Sequence, residues 1–270
     1  MTGTALTGTE GRPLFEVRGL TKRYYGLTAV ADLGFTVPDG GIVGLIGPNG
    51  SGKSTTIDCI SGFQAADEGR WFLGCRELSG RKPHVHALAG LARTFQTVRA
   101  YDAMSLLDNL ATAAQAHDGL GWWQALRAGP RLLHAETEAA ARARNLLDIV
   151  GLADHAESPA GILSYGQRKL LAIAATMMTR PRLVVLDEPV AGVNPTMIRR
   201  IETAIRALNE SGAALLIVEH NIDFIMNLCR TVIVLEQGRK IAEGPPASIR
   251  ENPRVLAAYL GGSPSAGADA

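Results

Sequence analysis

Gly47-Pro48-Asn49-Gly50-Ser51-Gly52-Lys53-Ser54 fits the phosphate-binding pattern G-x-x-x-x-G-K-[ST]. An apolar β-type run, Ile42-Val43-Gly44-Leu45-Ile46, leads into it. A helical pattern opens near Lys53, with Ile57 and Ile60 three residues apart. This strand–loop–helix context separates the match from a glycine-rich turn with a stray Lys-Ser. Glycines let backbone N–H groups converge on phosphates, and the helix start adds the positive end of its dipole. Lys53 offers a point charge to the β- and γ-phosphates, and Ser54 a hydroxyl to Mg²⁺. Thr55 follows in the first turn and is counted with the nucleotide-binding residues. Alone, the loop specifies binding of a nucleoside triphosphate and little else.

Bulk properties bound the rest. The chain has 270 residues, enough for one large α/β domain or a core with a helical arm. Its formal net charge of +1 gives no global field favouring nucleic acid or anionic lipid, so a nucleic-acid partner is not expected. Cys59, Cys75 and Cys229 lie far apart with no C-x-x-C, which implies neither a disulfide framework nor a zinc site. No apolar run reaches about 18 residues, and the N-terminus lacks a basic stretch followed by an apolar core. A membrane role must therefore run through a partner.

Residues 1–13 are small and polar and are expected to form a flexible tail, as are 261–270. Strand-like patterns cover Phe15 to Leu20, Leu27 to Val37, Glu68 to Gly74 and Leu91 to Gln96. Residues 97–180 read as mostly helical, a helical subdomain inserted in an α/β core within a domain spanning 14–260. Trp122–Trp123 interrupts that arm and is read as internal packing, with a membrane contact as the alternative. His84 and His86 form an H-x-H pair in a loop-like stretch without further ligands, so they are expected to be solvated. Arg127 and Arg131 to Arg144, interleaved with Glu136 and Glu138, read as a solvated helix face. Pro245 to Leu260 reads as a helical tail.

Leu183-Val184-Val185-Leu186-Asp187 is an apolar strand of buried type, and Asp187 and Glu188 close it. Acidic groups at such a strand end lie beside the phosphates in a phosphate-loop fold. Asp187 can hold Mg²⁺ through water, and Glu188 can take a proton from, or orient, an attacking water. His220 ends the next apolar run and is within reach of a γ-phosphate, although a lone strand-end histidine is usually structural. Leu163-Ser164-Tyr165-Gly166-Gln167 precedes another helical run and makes a second anion site. Two anion sites in one small domain suggest a triphosphate held between two chains.

Together these residues resemble the ATPase subunit of an ABC transporter. Gly47 to Ser54 matches the Walker A loop and Leu183 to Asp187 the Walker B strand. Leu163 to Gln167 resembles LSGGQ, with Tyr165 in place of the first glycine. Gln96 falls at the Q-loop glutamine, His220 at the switch histidine and Tyr24 at the adenine-stacking aromatic. Ala191 to Asn194 matches the D-loop, with Asn194 where many members have aspartate. LARTFQTVR (91–99) and PRVLAAYLG (253–261) are similar to branched-chain amino-acid importers, in which Tyr165 is an expected variant.

The resemblance implies an α/β P-loop NTPase core with an antiparallel β-subdomain and the helical insertion. It implies ATP and Mg²⁺ as ligands. Gly47 to Thr55, Tyr24, Gln96, Ser164, Tyr165, Gly166, Gln167, Asp187 and Asn194 would contact nucleotide. Ser54, Gln96 and Asp187 would serve the metal, and Glu188, His220 and Lys53 catalysis. Implied partners are membrane-spanning permease subunits, a second homologous ATPase in a heterodimer rather than a homodimer and, indirectly, a periplasmic or extracellular binding protein. The subunit would sit peripherally on the cytoplasmic face of the membrane. Urea and amide importers use similar subunits and stay open as alternatives. A soluble ABC ATPase would need a coiled-coil insertion or a second ATPase domain. A P-loop kinase would leave Leu163 to Gln167 unexplained.

Overall fold

The computed structural model describes residues 13–94, 100–114 and 129–260. The strands run β1 (Phe15–Tyr24), β2 (Leu27–Val37), β3 (Ile42–Ile46), β4 (Glu68–Leu73), β5 (Arg76–Glu77), β6 (Leu91–Arg93), β7 (Leu183–Asp187), β8 (Ala214–Val218), β9 (Thr231–Glu236) and β10 (Arg239–Gly244). The helices are α1 (Lys53–Ile60), α2 (Pro83–Leu88), α3 (Leu106–Ala114), α4 (Gly129–Ile149), α5 (Tyr165–Met177), α6 (Pro195–Glu210), α7 (Ile222–Leu228), α8 (Pro246–Arg250) and α9 (Pro253–Leu260).

Two sheets result. An antiparallel sheet has the order β2-β1-β4-β5, and a six-stranded sheet the order β10-β9-β3-β8-β7-β6. In the second sheet β3, β6, β7, β8 and β9 are parallel. β3, β7 and β8 read as unbroken apolar runs because both of their faces are covered. One hydrophobic cluster joins one face of this sheet to the antiparallel sheet and α1. The other joins the opposite face to α3, α4, α5, α6 and α7. The helical insertion therefore shares its core with the sheet, and α5 is the helix that belongs to both.

Several elements differ from the sequence reading. β10 pairs antiparallel with β9 through a tight turn at Gln237 and Gly238, both at positive φ. Its exposed charges, Arg239, Lys240 and Glu243, suit an edge strand and hide it from a hydrophobic pattern search. The expected helical tail is split into α8 and α9, because Pro253 disfavours helix at Asn252. The loop-like stretch with His84 and His86 is α2, started by Pro83 at its first turn. His86 is 1% exposed, not solvated, and its Nε2 lies 3.2 Å from the Arg81 carbonyl. Arg142 is likewise half-buried, its guanidinium donating to the Met177 carbonyl at 2.6 Å. Gln96, Trp122 and Trp123 lie outside the described residues.

Candidate nucleotide site

The loop Gly47–Ser54 joins β3 to α1 at the C-terminal end of the parallel strands. Gly47 has φ 154°, and a Cβ there would meet the Leu235 carbonyl oxygen at 2.2 Å. Gly52, at φ 99°, caps α1, and a Cβ there would meet the Ala29 carbonyl at 2.5 Å. Both glycines are required by close backbone approach as well as by dihedral angle. Lys53 is buried, and its Nζ donates to the carbonyls of Gly47 at 2.7 Å and Pro48 at 2.9 Å. Burial lowers its pKa, while the nearby Glu188 charge acts in the opposite direction.

Asn49 to Thr55 line a cavity of about 350 Å³ with Ala29, Glu188 and His220. Its floor is the loop and its wall is the pair of strand ends that follow β7 and β8. His220 Nε2 lies 3.0 Å from Glu188 Oε1. Glu188 sits at φ 47°, a left-handed conformation that a residue with a side chain seldom adopts. Its N–H donates to the Val218 carbonyl at 2.9 Å, and its own carbonyl accepts from Lys169 Nζ at 2.6 Å. Glu219, 2% exposed, accepts from the backbone N–H groups of Val190, His220 and Asn221. That buried carboxylate ties the segment after β7 to the segment after β8.

Asp187 is held from the other side. Arg93 Nη2 donates to its carboxylate at 3.0 Å, and Arg93 Nη1 donates to Asp58 at 2.7 Å and Ser61 Oγ at 3.0 Å. The Asp187 N–H donates to Thr94 Oγ1 at 3.0 Å. Burial raises the Asp187 pKa, against the opposing effect of Arg93. Ser54 lines the cavity, whereas Asp187, its carboxylate paired with Arg93, is outside the lining. Both offer hard oxygen donors, and among the described residues no cluster of three or more His, Cys, Asp or Glu side chains could hold a metal by itself. Such a donor set fits Mg²⁺, which uses one or two carboxylates and completes its shell with water and phosphate. A cleft of about 380 Å³ at the opposite strand ends, near Arg142 and Ala213, has no phosphate loop, and its carboxylate, Asp39, stands in the turn before β3 rather than at the C-terminal end of a parallel strand. Chemistry rather than volume selects the site.

The family model described as ABC transporter matches residues 30–191, which include the loop, Asp187 and Glu188. The chain belongs to the ABC transporter family. Residues 239–264 of this ABC protein match a second family model, described as branched-chain amino acid ATP-binding cassette transporter. It is 39% identical over 251 residues to the high-affinity branched-chain amino acid transport ATP-binding protein BraF of Pseudomonas aeruginosa, covering 93% of this chain and 98% of the relative. It is 37% identical over 251 residues to LivG of Escherichia coli, described in the same words, with the same coverage. Its fold is similar to the ADP conformation of MJ1267, an ATP-binding cassette of an ABC transporter. That match has a TM-score of 0.80 at 29% identity and covers 93% of this chain and 100% of that one. The nucleotide-binding ATPase fold expected from the sequence is thus present.

The remaining expected residues of this ABC ATPase fall elsewhere. Ser164 caps α5 in a capping box: its Oγ accepts from Gln167 N, and its N–H donates to Gln167 Oε1 at 2.9 Å. None of Ser164, Tyr165, Gly166 or Gln167 lines the cavity of the phosphate loop. Asn194 caps α6, its Oδ1 accepting from Met197 N at 2.9 Å. Tyr24 ends β1 half-exposed, with Lys22 Nζ 5.1 Å from its ring centroid, and is also outside the cavity lining. Sequence reading assigned no role to Arg93, Lys169 or Glu219. Arg93 was visible only as part of the LARTFQTVR stretch. Charged residues directly adjoining apolar runs are the available signal, and Lys169, before Leu170-Leu171, and Glu219, after Ile217-Val218, both carry it.

Proposed function

We propose that this chain is the ATP-hydrolysing subunit of an importer of branched-chain amino acids. The single observation that carries the chemistry is the Glu188–His220 pair facing the phosphate loop across one cavity. The loop and Lys53 grip the triphosphate, with the lysine exchanging loop carbonyls for phosphate oxygens. Ser54 and Asp187 are the residues that would hold Mg²⁺, which supplies charge neutralisation on the phosphates when bound. Glu188 orients and deprotonates the attacking water, and His220 fixes the Glu188 carboxylate and reaches the γ-phosphate.

The position of Ser164 to Gln167 outside the cavity supports a nucleotide sandwiched between two chains, this segment completing the partner's site. ATP then favours the closed pair and hydrolysis the open one, because the contacts to nucleotide differ between the two states. The partner is a homologous but different ATPase, and Gln96 reports the site to the membrane-spanning permease subunits. The assembly lies on the cytoplasmic face and receives cargo through a binding protein outside. The cargo class rests on the matched C-terminal segment and on the names of the relatives.

The test is reconstitution with the permease subunits, the partner ATPase and the binding protein in lipid vesicles. Leucine, isoleucine or valine should stimulate ATP hydrolysis and accumulate inside. Stimulation by urea or short amides alone would transfer the subunit to another cargo. No stimulation by any solute would remove the transport reading.

A further inference from the structure

Lys169 lies one helical turn after Tyr165 on α5, and it is 4% exposed. Its Nζ donates to the Glu188 carbonyl at 2.6 Å and stands 5.4 Å from the centroid of the Tyr165 ring. The Tyr165 ring also packs on Gly192, where a Cβ would lie 3.4 Å from Cε1. An ammonium in this position is expensive to bury, and an apolar side chain would pack there at lower cost. What the lysine supplies is a hold on one backbone oxygen. Glu188 needs such a hold, because its φ of 47° is disfavoured for any residue with a Cβ. Val218 fixes its N–H and Lys169 its carbonyl, and the side chain between them is aimed at His220.

We infer that Lys169 is a positioning residue that holds Glu188 in its left-handed conformation and ties that geometry, through Tyr165, to the Ser164–Gln167 segment of the same chain. The inference rests on the proposed function, in which Glu188 serves the chain's own nucleotide and Tyr165 faces the partner's. The path Tyr165–Lys169–Glu188 then runs between the two nucleotide sites of a closed pair. A displacement of the Tyr165 ring by the partner's nucleotide moves the surface against which Lys169 rests. The ammonium in turn moves the backbone of the residue that activates water.

The test uses the full chain in the reconstituted transporter, with Lys169→Met, Lys169→Arg, Tyr165→Leu and the double variant Lys169→Met/Tyr165→Leu. Affinity for a fluorescent ATP analogue and the KM for ATP should stay within about twofold in Lys169→Met, while kcat falls about tenfold or more. Lys169→Arg should recover most of kcat, since a guanidinium can still donate to the carbonyl. Tyr165→Leu should lower kcat in the wild-type background and by a clearly smaller factor in the Lys169→Met background, where only its contact with the partner's nucleotide is left to lose. A kcat within about twofold of wild type in Lys169→Met overturns the positioning role. Additive losses in the double variant overturn the link to Tyr165. If Lys169→Met fails to fold, Lys169→Leu, which likewise cannot donate to the carbonyl, takes its place under the same criteria. Wild-type turnover by Glu188→Gln, measured alongside, would remove the proposed function itself. An inactive Glu188→Gln with a fully active Lys169→Met would remove only this inference.

Discussion

His220 Nε2 lies 3.0 Å from Glu188 Oε1, although the two residues are separated by α6 and β8 in the chain. The contact follows from strand order. β7 and β8 are parallel neighbours, with Asp187 opposite Val218, so the residues just beyond their ends meet. Glu188→Gln keeps the shape and removes the proposed base. ATP affinity should be retained while turnover falls about 100-fold or more, with a closed pair accumulating in ATP. His220→Ala should lose less, about tenfold, because the carboxylate remains. Phosphate release and gel filtration in ATP measure both. Full turnover by Glu188→Gln would exclude the carboxylate as the base.

Lys53 is held by the carbonyls of Gly47 and Pro48, inside the loop it serves. Lys53→Ala removes a buried cation from the loop to which the proposed function assigns the phosphates. ATP affinity should fall by at least about tenfold, the scale of one charged hydrogen bond. Titration with a fluorescent nucleotide analogue reads this directly, and an unchanged Kd would show that the loop backbone alone binds the phosphates.

The parts of this site legible in the sequence are those whose chemistry needs a fixed local spacing. The phosphate loop is one unbroken stretch, and the apolar strands β3, β7 and β8 announce themselves by composition. Residues that act by long-range contact were not legible. Arg93 meets Asp187 across 94 positions and Lys169 meets Glu188 across 19, and nothing in either local pattern predicts the pairing. β10 and α2 were missed for a different reason. β10 is a charged edge strand, and α2 is too short, at six residues, to show a period.

Among the described histidines, His86 is the one whose burial contradicts its local sequence. Burial lowers its pKa, opposed by backbone contacts to Arg81, Ile60 and Leu78. Between that lowered value and its ordinary 6.5, the unfolded chain binds a proton that the folded chain does not. Stability therefore rises with pH across that window and is lost on acidification through it. His86→Met removes this dependence. Its urea midpoint should fall less than the wild type's between pH 7 and pH 5, even if the variant starts about 1 kcal/mol less stable. Parallel pH profiles for the two proteins would show that His86 does not contribute to acid sensitivity.

Ser164 separates helix capping from nucleotide contact. Its capping box with Gln167 holds the start of α5, so Ser164→Ala should cost about 1 kcal/mol in chemical denaturation. Ser164→Arg adds a bulky cation to a segment absent from the lining of the chain's own cavity. ATP should still bind the isolated chain, and ATP-dependent pairing with the partner ATPase should be lost. Loss of ATP binding by the isolated chain would instead place Ser164 in its own nucleotide site.

Gly47 and Gly50 lie in the same loop at positive φ, yet their substitutions should differ sharply. Gly50 has φ 77° and nothing within 4 Å of an added Cβ. Gly50→Ala therefore carries only the dihedral penalty, about 1–2 kcal/mol, and should bind ATP measurably. Gly47→Ala would place its Cβ 2.2 Å from the carbonyl oxygen of Leu235. That oxygen belongs to β9, which is paired with β3 along Ile46↔Val234, so it cannot withdraw without breaking the central sheet. The loop must move instead, taking Lys53 away from its carbonyl ligands. Gly47→Ala should lose detectable ATP binding and destabilise the chain by about 2 kcal/mol or more. Thermal melts with and without nucleotide test the pair: ATP should raise the midpoint of Gly50→Ala and leave that of Gly47→Ala unchanged. Equal nucleotide shifts in the two variants would show that the loop relaxes around Gly47 without cost to phosphate binding.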